Sequence, residues 1–483
     1  MADEAISLGA RLRELADERP DRPAVTDHDR TVTWRELDQR TNRIARGLVA
    51  AGVKQGDLVT VGLTNSADFI EACYGLWKVG ATPQPISWRL PAGEARAVME
   101  LAATPILIAG PSIESDRPRY DLAALLALSD DDSPVEDRTA PVWKAPTSGG
   151  STGRPKLILS GGPGNFPPNT SGSGTYRTTP DDVMIMPGPL YHNGPFTSGF
   201  GGLAQGAHLV ILPRFDAEAT LAAIERHKAT WIYLVPTMMS RIWRLPNRTD
   251  YDVSSLKTAW HLAAPCPPWL KEAWIGWLGP DVIMELYAGT EAQAVTIITG
   301  AEWLEHRGSV GKVAVGEMAV FDATGKPLPA GEIGEIYMRR TAGEPPSYRY
   351  LGAEARTLPG GWESLGDIGS FDAEGYLYLA DRRADMILVG GSNVYPAEIE
   401  AALDEHPLVQ SSAVVGLPDE DLGNRIHAIV QPRPGLTEDA LREHLRSRLV
   451  SYKQPRTYEF VSENIRDDAG KVRRTQLREE RLG

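Results

Sequence analysis

The sequence predicts an α/β protein with a large, multi-sheet N-terminal domain containing crossover helices and a small α+β C-terminal domain. The chain has 483 residues, which is too many for one compact core. Strand patterns alternate with helix patterns through its first part, as expected of a sheet with crossover helices. The pattern changes after Asp381. We therefore divide the chain into domains at 1–383 and 384–483.

The first elements carry clear local signals. Thr33 and Glu36 have capping-box spacing and begin a helix whose Leu37, Ile44 and Leu48 share one face. An apolar run at 58–63 predicts a strand, and Ser66 is placed to cap the helix that follows it. The same strand pattern recurs twice, at 208–212 and 231–235.

The last hundred or so residues are long enough for a separate domain. Helices are predicted over 396–403 and 437–449, the second of them amphipathic. Strands are predicted over 412–417 and 426–430. This mixture differs from the regular alternation upstream and indicates a small α+β unit.

Composition excludes several classes of function. The formal net charge of −14 argues against nucleic acid or an anionic membrane as the main partner. The two cysteines, Cys73 and Cys266, are far apart, so neither a disulfide framework nor a cysteine zinc site is supported. No signal peptide and no apolar run long enough to span a membrane is visible, so a cytoplasmic protein is expected.

A phosphate-binding loop is the strongest local signal. Glycines turn the backbone so that successive N–H groups point at one anion, while hydroxyls and a lysine add further donors and charge. The candidate residues are Ser148, Gly149, Gly150, Ser151, Thr152, Gly153 and Lys156. Lys156 follows proline and precedes leucine, so the Walker spacing is not met. The loop predicted over 161–174 is either a flexible insertion or a cover for bound nucleotide.

Further motifs follow in a fixed order. They are Leu-Tyr-Ala-Gly-Thr-Glu at 286–291, Gly-Asp at 366–367, Asp-Arg-Arg-Ala-Asp-Met-Ile at 381–387, Gly-Gly-Ser-Asn-Val-Tyr-Pro at 390–396 and Ala-Gly-Lys-Val-Arg-Arg at 469–474. With the glycine-rich loop, this set resembles the acyl-adenylate-forming family over nearly the whole chain. That family contains acyl-CoA synthetases, adenylation domains of peptide synthetases and firefly-type luciferases. The resemblance implies that the small domain is mobile and rotates beside Arg382, where Ala384 replaces the usual polar residue.

The resemblance also implies a two-step reaction. A carboxylate attacks the α-phosphate of ATP to give an acyl-adenylate and pyrophosphate, and a thiol then displaces AMP. Lys471 corresponds to the lysine that bridges the carboxylate and the α-phosphate, Glu291 to the acid that holds Mg²⁺, and Thr290 to a hydrogen-bond donor to the α-phosphate. The segment 189–194, with Tyr191 and His192, resembles the aromatic–histidine gate between the nucleotide and acyl sites.

The resemblance assigns the remaining residues to contacts with the nucleotide and with coenzyme A. Tyr287 would stack on adenine or close the adenine pocket. It is followed by Ala288, which departs from the usual glycine, and by Gly289. Asp367 and Arg382 would hold the ribose, and Ala263 and Ala264 would lie against adenine. Gly390 and Gly391 would let the pantetheine arm of coenzyme A pass, although a tight turn needs the same residues.

We therefore predict an AMP-forming acid–CoA ligase that uses ATP, Mg²⁺ and coenzyme A. The segments around Trp88, His192 and Ala263 resemble ligases for bulky, ring-bearing acids of bile-acid or terpenoid type, and small residues at Gly194, Ala288 and Gly289 would leave room for one. The gate lacks the aspartate of amino-acid-activating relatives, which disfavours an amino acid substrate. Two alternatives stay open: transfer to a carrier-protein thiol, and a catalytically silent nucleotide-binding regulator. A homodimer is possible.

Overall fold

The structure, a computed structural model, describes residues 6–28, 30–148, 155–166, 173–382, 385–389, 392–419, 421–468 and 470–482. Its helices are α1 Leu8–Glu18, α2 Trp34–Ala50, α3 Ala67–Lys78, α4 Ala92–Ala102, α5 Leu122–Ala127, α6 Ser173–Tyr176, α7 Asn193–Gln205, α8 Ala217–His227, α9 Pro236–Trp243, α10 Pro268–Leu278, α11 Gly300–Glu305, α12 Pro396–Asp404, α13 Glu438–Arg446 and α14 Arg474–Glu479. Within these ranges, none of the helices is both long and apolar enough to cross a membrane.

The strands up to residue 300 are β1 Ile6–Ser7, β2 Pro23–Asp27, β3 Arg30–Thr33, β4 Leu58–Gly62, β5 Thr82–Pro85, β6 Leu107–Ala109, β7 Arg119–Tyr120, β8 Thr147–Ser148, β9 Lys156–Ser160, β10 Asn165–Phe166, β11 Val183–Met186, β12 His208–Ile211, β13 Trp231–Leu234, β14 Thr258–His261, β15 Ile283–Tyr287 and β16 Val295–Thr299. The later strands are β17 Ser309–Val315, β18 Glu317–Phe321, β19 Gly334–Arg339, β20 Tyr348–Leu351, β21 Arg356–Leu358, β22 Trp362–Phe371, β23 Leu377–Arg382, β24 Ile387–Val389, β25 Ser392–Val394, β26 Val409–Asp419, β27 Gly423–Pro432 and β28 Thr457–Phe460.

One large sheet organises the N-terminal part. Strands β2, β12, β11, β13, β14 and β15 lie side by side and are all parallel. Antiparallel strands β16, β17, β23, β22, β19 and β18 continue the same sheet. A second, parallel sheet has the order β5-β4-β6-β7, and a third, antiparallel one the order β20-β9-β8. The prediction of a multi-sheet domain with crossover helices is confirmed.

Of the two predicted helix caps, one is present and one is not. Thr33 and Glu36 make both hydrogen bonds of the capping box at the start of α2. Ser66 occupies the cap position of α3, but its side chain makes no capping bond; its hydroxyl donates to the Thr64 carbonyl at 3.2 Å. The carboxylate of Asp27, at the end of β2, accepts from the Ala67 N–H instead, at 3.1 Å. The cap prediction at Ser66 is therefore wrong.

The segment 161–174 is not simply a loop. Residues Asn165–Phe166 form β10, which pairs with β1, and α6 begins at Ser173. The N–H of Gly161 donates to the Ser347 carbonyl at 2.7 Å, which fastens the start of the segment to the chain before β20. Residues 167–172 lie outside the described ranges, so the proposed cover over nucleotide stays a prediction.

The C-terminal part has its own core. Antiparallel β26 and β27, with β28 parallel to β27, form a sheet packed against α12 and α13. The apolar cluster between them draws on residues 387–449, and a second cluster on the other face draws on residues 413–477. The small α+β fold is as predicted. The division at 383/384 stays a prediction, since both residues lie outside the described ranges.

Candidate active site

The candidate site lies at one edge of the large sheet. Parallel strands β11, β13, β14 and β15 all end there, and the segments that follow them carry the gate loop, the start of α9, Ala263–Ala264 and 288–291. Ligands of α/β proteins bind at such carboxyl ends. Ala263 has φ of +77°, in the left-handed region that favours glycine. The sheet thus brings together residues that are far apart in the sequence.

Glu291 is held by two neighbours at the predicted magnesium position. Glu291 is only 5% exposed. Tyr350 Oη donates to Glu291 Oε1 at 2.5 Å, and Lys156 Nζ lies 3.5 Å from the same oxygen. Burial, followed by the charge of Glu291, raises the pKa of Tyr350, so its hydroxyl remains a donor. The lysine of the glycine-rich loop and the predicted metal ligand are therefore neighbours.

The carboxylate of Glu291 by itself suffices as a protein ligand for magnesium. Among the described residues, no group of three or more His, Cys, Asp or Glu side chains is arranged to hold a metal ion. Mg²⁺ commonly keeps several water ligands and binds through one or two carboxylates and the phosphates of its substrate. The oxygen chemistry of Glu291 meets that requirement.

The predicted ribose and adenine residues also meet. Tyr287 Oη donates to Asp367 Oδ2 at 2.7 Å. Asp367 on β22 lies directly opposite Arg382 on β23 in the antiparallel register. Asp367, in the middle of β22, thus lies beside the last residues of β15 and β23 and places a carboxylate next to an aromatic ring, as a nucleoside site requires.

Lys471 lies in a tight turn that contacts the large domain. The N–H of Lys471 donates to Asp467 Oδ1 at 2.8 Å, and the Asp467 N–H donates to the Lys471 carbonyl at 2.9 Å. Gly470, with φ of +76°, faces α9 so closely that a Cβ there would lie 3.0 Å from Thr237 Oγ1. The positive φ favours glycine in this turn, and the absence of a side chain lets the turn lie close to α9.

The same turn reaches the predicted gate. Asp468 Oδ1 lies 2.9 Å from His192 Nε2, and Tyr191 Oη donates to the other carboxylate oxygen. Burial acts to raise the pKa of Asp468, but the hydrogen bonds from His192 and Tyr191 outweigh it and leave the pKa below its ordinary value. The turn that carries Lys471 is thus anchored on the gate, across 276 residues of sequence.

Two arginines fasten this turn to the small domain. The carboxylate of Glu400, 5% exposed, accepts from Arg474 at 2.8 Å and from Arg466 at 3.2 Å. Arg474 also pairs with Asp385 at 2.8 Å, one residue after the predicted pivot. From the large domain, Arg244 donates to the carbonyl of Asp404, the last residue of α12, at 3.0 Å. The contacts of Arg466 and Arg474 hold the chain on both sides of the Lys471 turn against the small domain.

The space beside two glycines is filled by protein. A Cβ at Gly194 would lie 2.3 Å from Tyr233 Oη, and one at Gly289 would lie 2.2 Å from Leu365 Cδ1. A neighbouring side chain occupies that space at both positions, so the expectation that these glycines leave room for a bulky acid is wrong there. Ala288 remains half-buried at the end of β15.

Several predicted residues cannot be placed. Gly149, Gly150, Ser151, Thr152, Gly153, Ala384, Gly390 and Gly391 lie outside the described ranges, as do the side chains of Ser148 and Arg382. Thr290 is half-buried between Gly289 and Glu291. Sequence reasoning missed Asp468 and Tyr350, and only the proximity of Asp468 to the lysine motif could have drawn attention to it.

Comparison with known proteins decides the family. The model of the AMP-binding enzyme family matches residues 12–343, and that of the AMP-binding enzyme C-terminal domain matches 398–471. The chain belongs to the AMP-binding enzyme family. The predicted acyl-adenylate-forming family is thereby confirmed.

Members of the AMP-binding enzyme family resemble the chain over its full length. The 3-(7a-methyl-1,5-dioxo-octahydro-1H-inden-4-yl)propanoyl:CoA ligase of Rhodococcus jostii (strain RHA1) is 30% identical over 100% of both chains. The fatty acid–acyl-carrier-protein ligase ScoC of Streptomyces coeruleorubidus is 30% identical over 96% of this chain and 94% of its own. The o-succinylbenzoate CoA synthetase of Bacillus subtilis, solved with its acyl-adenylate, has a TM-score of 0.84 at 26% identity over 97% of each chain.

Proposed function

We propose that the protein activates a carboxylic acid with ATP to an acyl-adenylate and transfers the acyl group to the thiol of coenzyme A, releasing AMP. The observation that carries this proposal is the anchoring of the Lys471 turn on the gate through Asp468 and His192. Because Asp468 contacts His192 and Gly470 lies against Thr237, the turn that contains Lys471 lies beside the gate and α9, which follow strands β11 and β13 of the large sheet. An acid ligase needs this arrangement because its first step joins two anions.

The residues have complementary tasks in that step. Lys471 would neutralise the attacking carboxylate and the α-phosphate, and preorganised charge of this kind is a large part of catalysis. Thr290 would donate to the α-phosphate. Glu291 would hold magnesium, which when bound offsets phosphate charge. The two oxygens of Asp367 can accept from the two vicinal ribose hydroxyls.

The acid and the acceptor are inferred from the relatives. An octahydroindenyl propanoate and o-succinylbenzoate both bear rings, which supports a bulky, ring-bearing acid. Coenzyme A is the acceptor named for both of these ligases. ScoC, named for an acyl-carrier protein, keeps a carrier-protein thiol as the second candidate. The cytoplasmic location and the possible homodimer remain predictions.

ATP–pyrophosphate exchange is the first test. The panel should contain the octahydroindenyl propanoate, o-succinylbenzoate and a fatty acid, and each acid that supports exchange is then tested for AMP release with coenzyme A or with a phosphopantetheinylated carrier protein. AMP release that depends on coenzyme A supports the proposal, whereas dependence on the carrier protein favours the alternative. ATP binding without exchange for any acid of the panel would favour the silent regulator over a ligase for these acids.

The role of Lys471 has its own test. Lys471→Ala should lower exchange by about 100-fold or more, because one charge contact of the transition state is lost. Attack of the thiol on preformed acyl-adenylate should be spared. Lys257→Ala, at an exposed lysine, is the control. Equal losses in the two half-reactions would contradict the assignment.

A further inference from the structure

Three lysines of the described chain are buried, and two of them have a carboxylate partner. Lys78 Nζ lies 2.6 Å from Asp38 Oδ1, and Lys271 is paired with Glu285. Lys144, with 6% exposure, is different. Its amine donates to the side-chain oxygen of Asn193 and lies 5.2 Å from the centre of the Trp143 ring, and no carboxylate of the described residues is within ion-pair distance of it.

A buried ammonium without a counter-ion is unfavourable, because burial penalises the charged form. Burial accordingly lowers the pKa of Lys144 to about 7, although the charge of Glu291 acts in the opposite direction. An ammonium has three N–H donors, and Asn193 accepts one of them. Replacing Lys78 or Lys271 would leave a buried carboxylate unpaired, whereas replacing Lys144 would not.

The position of Lys144 indicates what it meets. Asn193 is the first residue of α7 and directly follows His192 of the gate. Lys144 itself lies three residues before β8, which pairs with the strand that begins at Lys156. It is also within electrostatic reach of Glu291. Its amine is thus enclosed between the gate and the predicted magnesium position.

We propose that Lys144 is an anion-binding residue of this active site, where its ammonium pairs with an anionic oxygen of the bound ligand. The oxygen comes either from the carboxylate of the acid or from a phosphate of ATP. The inference deepens the proposed function and rests on it for the identity of the two ligands. The bound anion supplies the counter-charge that Asp38 and Glu285 give to the other two buried lysines.

Binding measured by calorimetry distinguishes the two sources of the anionic oxygen, the acid and ATP. Lys144→Met and Lys144→Gln remove the charge, and glutamine keeps a polar group beside Asn193. We expect either Mg·ATP or the ring-bearing acid probe, o-succinylbenzoate, to bind about 10- to 100-fold more weakly, as expected for one charge-assisted hydrogen bond. A loss confined to Mg·ATP assigns the phosphate, and a loss confined to o-succinylbenzoate assigns the carboxylate. Lys257→Met, at an exposed position, should change neither affinity.

Thermal unfolding supplies a second readout. Lys144→Met should unfold at the wild-type temperature or above it, while Lys271→Met should unfold at a lower temperature because Glu285 loses its partner. If both Lys144 variants bind both probes within about twofold of wild type, the inference is overturned. Because binding is measured without turnover, weaker Mg·ATP binding would support Lys144 even if no acid in the panel were activated.

Discussion

The buried carboxylate of Glu400 should determine both the stability of the small domain and the placement of Lys471. We consider Glu400→Gln, which preserves shape and removes the charge. Glu400 accepts from Arg474, from Arg466 and, at 2.9 Å, from the Val414 N–H. The carboxylate side chain is 6% exposed and the two arginine side chains are 15% and 16% exposed, so all three are largely buried and water screens these pairs little.

The expected cost follows from these contacts. Removing one partner of a buried ion pair costs about 3–5 kcal/mol, because the other charge is left without compensation. Glutamine keeps one oxygen acceptor, and Arg474 keeps its pair with Asp385. We therefore expect the free energy of opening the small domain to fall by about 3 kcal/mol, the low end of this range. That is a roughly 150-fold increase in the population of the open form of the small domain.

Hydrogen exchange in the intact chain measures this quantity directly. Amides of β26 and β27 should exchange about 100-fold faster in Glu400→Gln, and pyrophosphate exchange should fall because the Lys471 turn is less firmly held. Glu398→Gln is the matched control on the same helix. Glu398 pairs with Lys453 at 2.6 Å, and its side chain is 43% exposed. Losing this exposed pair should therefore cost only about 0–1 kcal/mol of stability. Amide hydrogen-exchange rates in the two variants that lie within about threefold of each other would refute the reasoning.

Three other predictions follow from the site and the small domain. Asp468→Asn should slow acyl-adenylate formation by about 10-fold, because the Lys471 turn loses charge-assisted bonds to Tyr191 and His192; an unchanged single-turnover rate would show that these bonds do not position Lys471. Burial raises the pKa of Asp404 to about 6. The protonated carboxyl therefore contributes to folding stability below about pH 4, and this contribution is lost as the pH rises through about 6. Urea unfolding should therefore find Asp404→Asn more stable than wild type at pH 7 and indistinguishable at pH 4, and the reverse order would contradict this account. Glu291→Gln should raise the magnesium concentration needed for half-maximal exchange, and an unaltered magnesium titration would show that Glu291 does not recruit the ion.

Local patterns in the sequence determined much of this protein. The capping box at Thr33, the helices α2 and α12 and the strand β4 depend on hydrogen bonds and apolar spacings within a few residues, so their signals are local. The motif order identified the family, and the residues predicted to share a nucleotide site do meet in two pairs, Lys156 with Glu291 and Tyr287 with Asp367.

Only the tertiary structure decided the rest, because those features depend on contacts between distant segments. Nothing near Asp468 in the sequence indicates that it meets His192, and nothing near Lys144 indicates that its buried amine lacks a carboxylate. The sequence predicts space for a substrate beside Gly194, but the side chain of Tyr233, on β13, fills that space. Burial, close packing and the pairing of charges are properties of the folded arrangement, whereas the sequence alone specifies which groups are available to it.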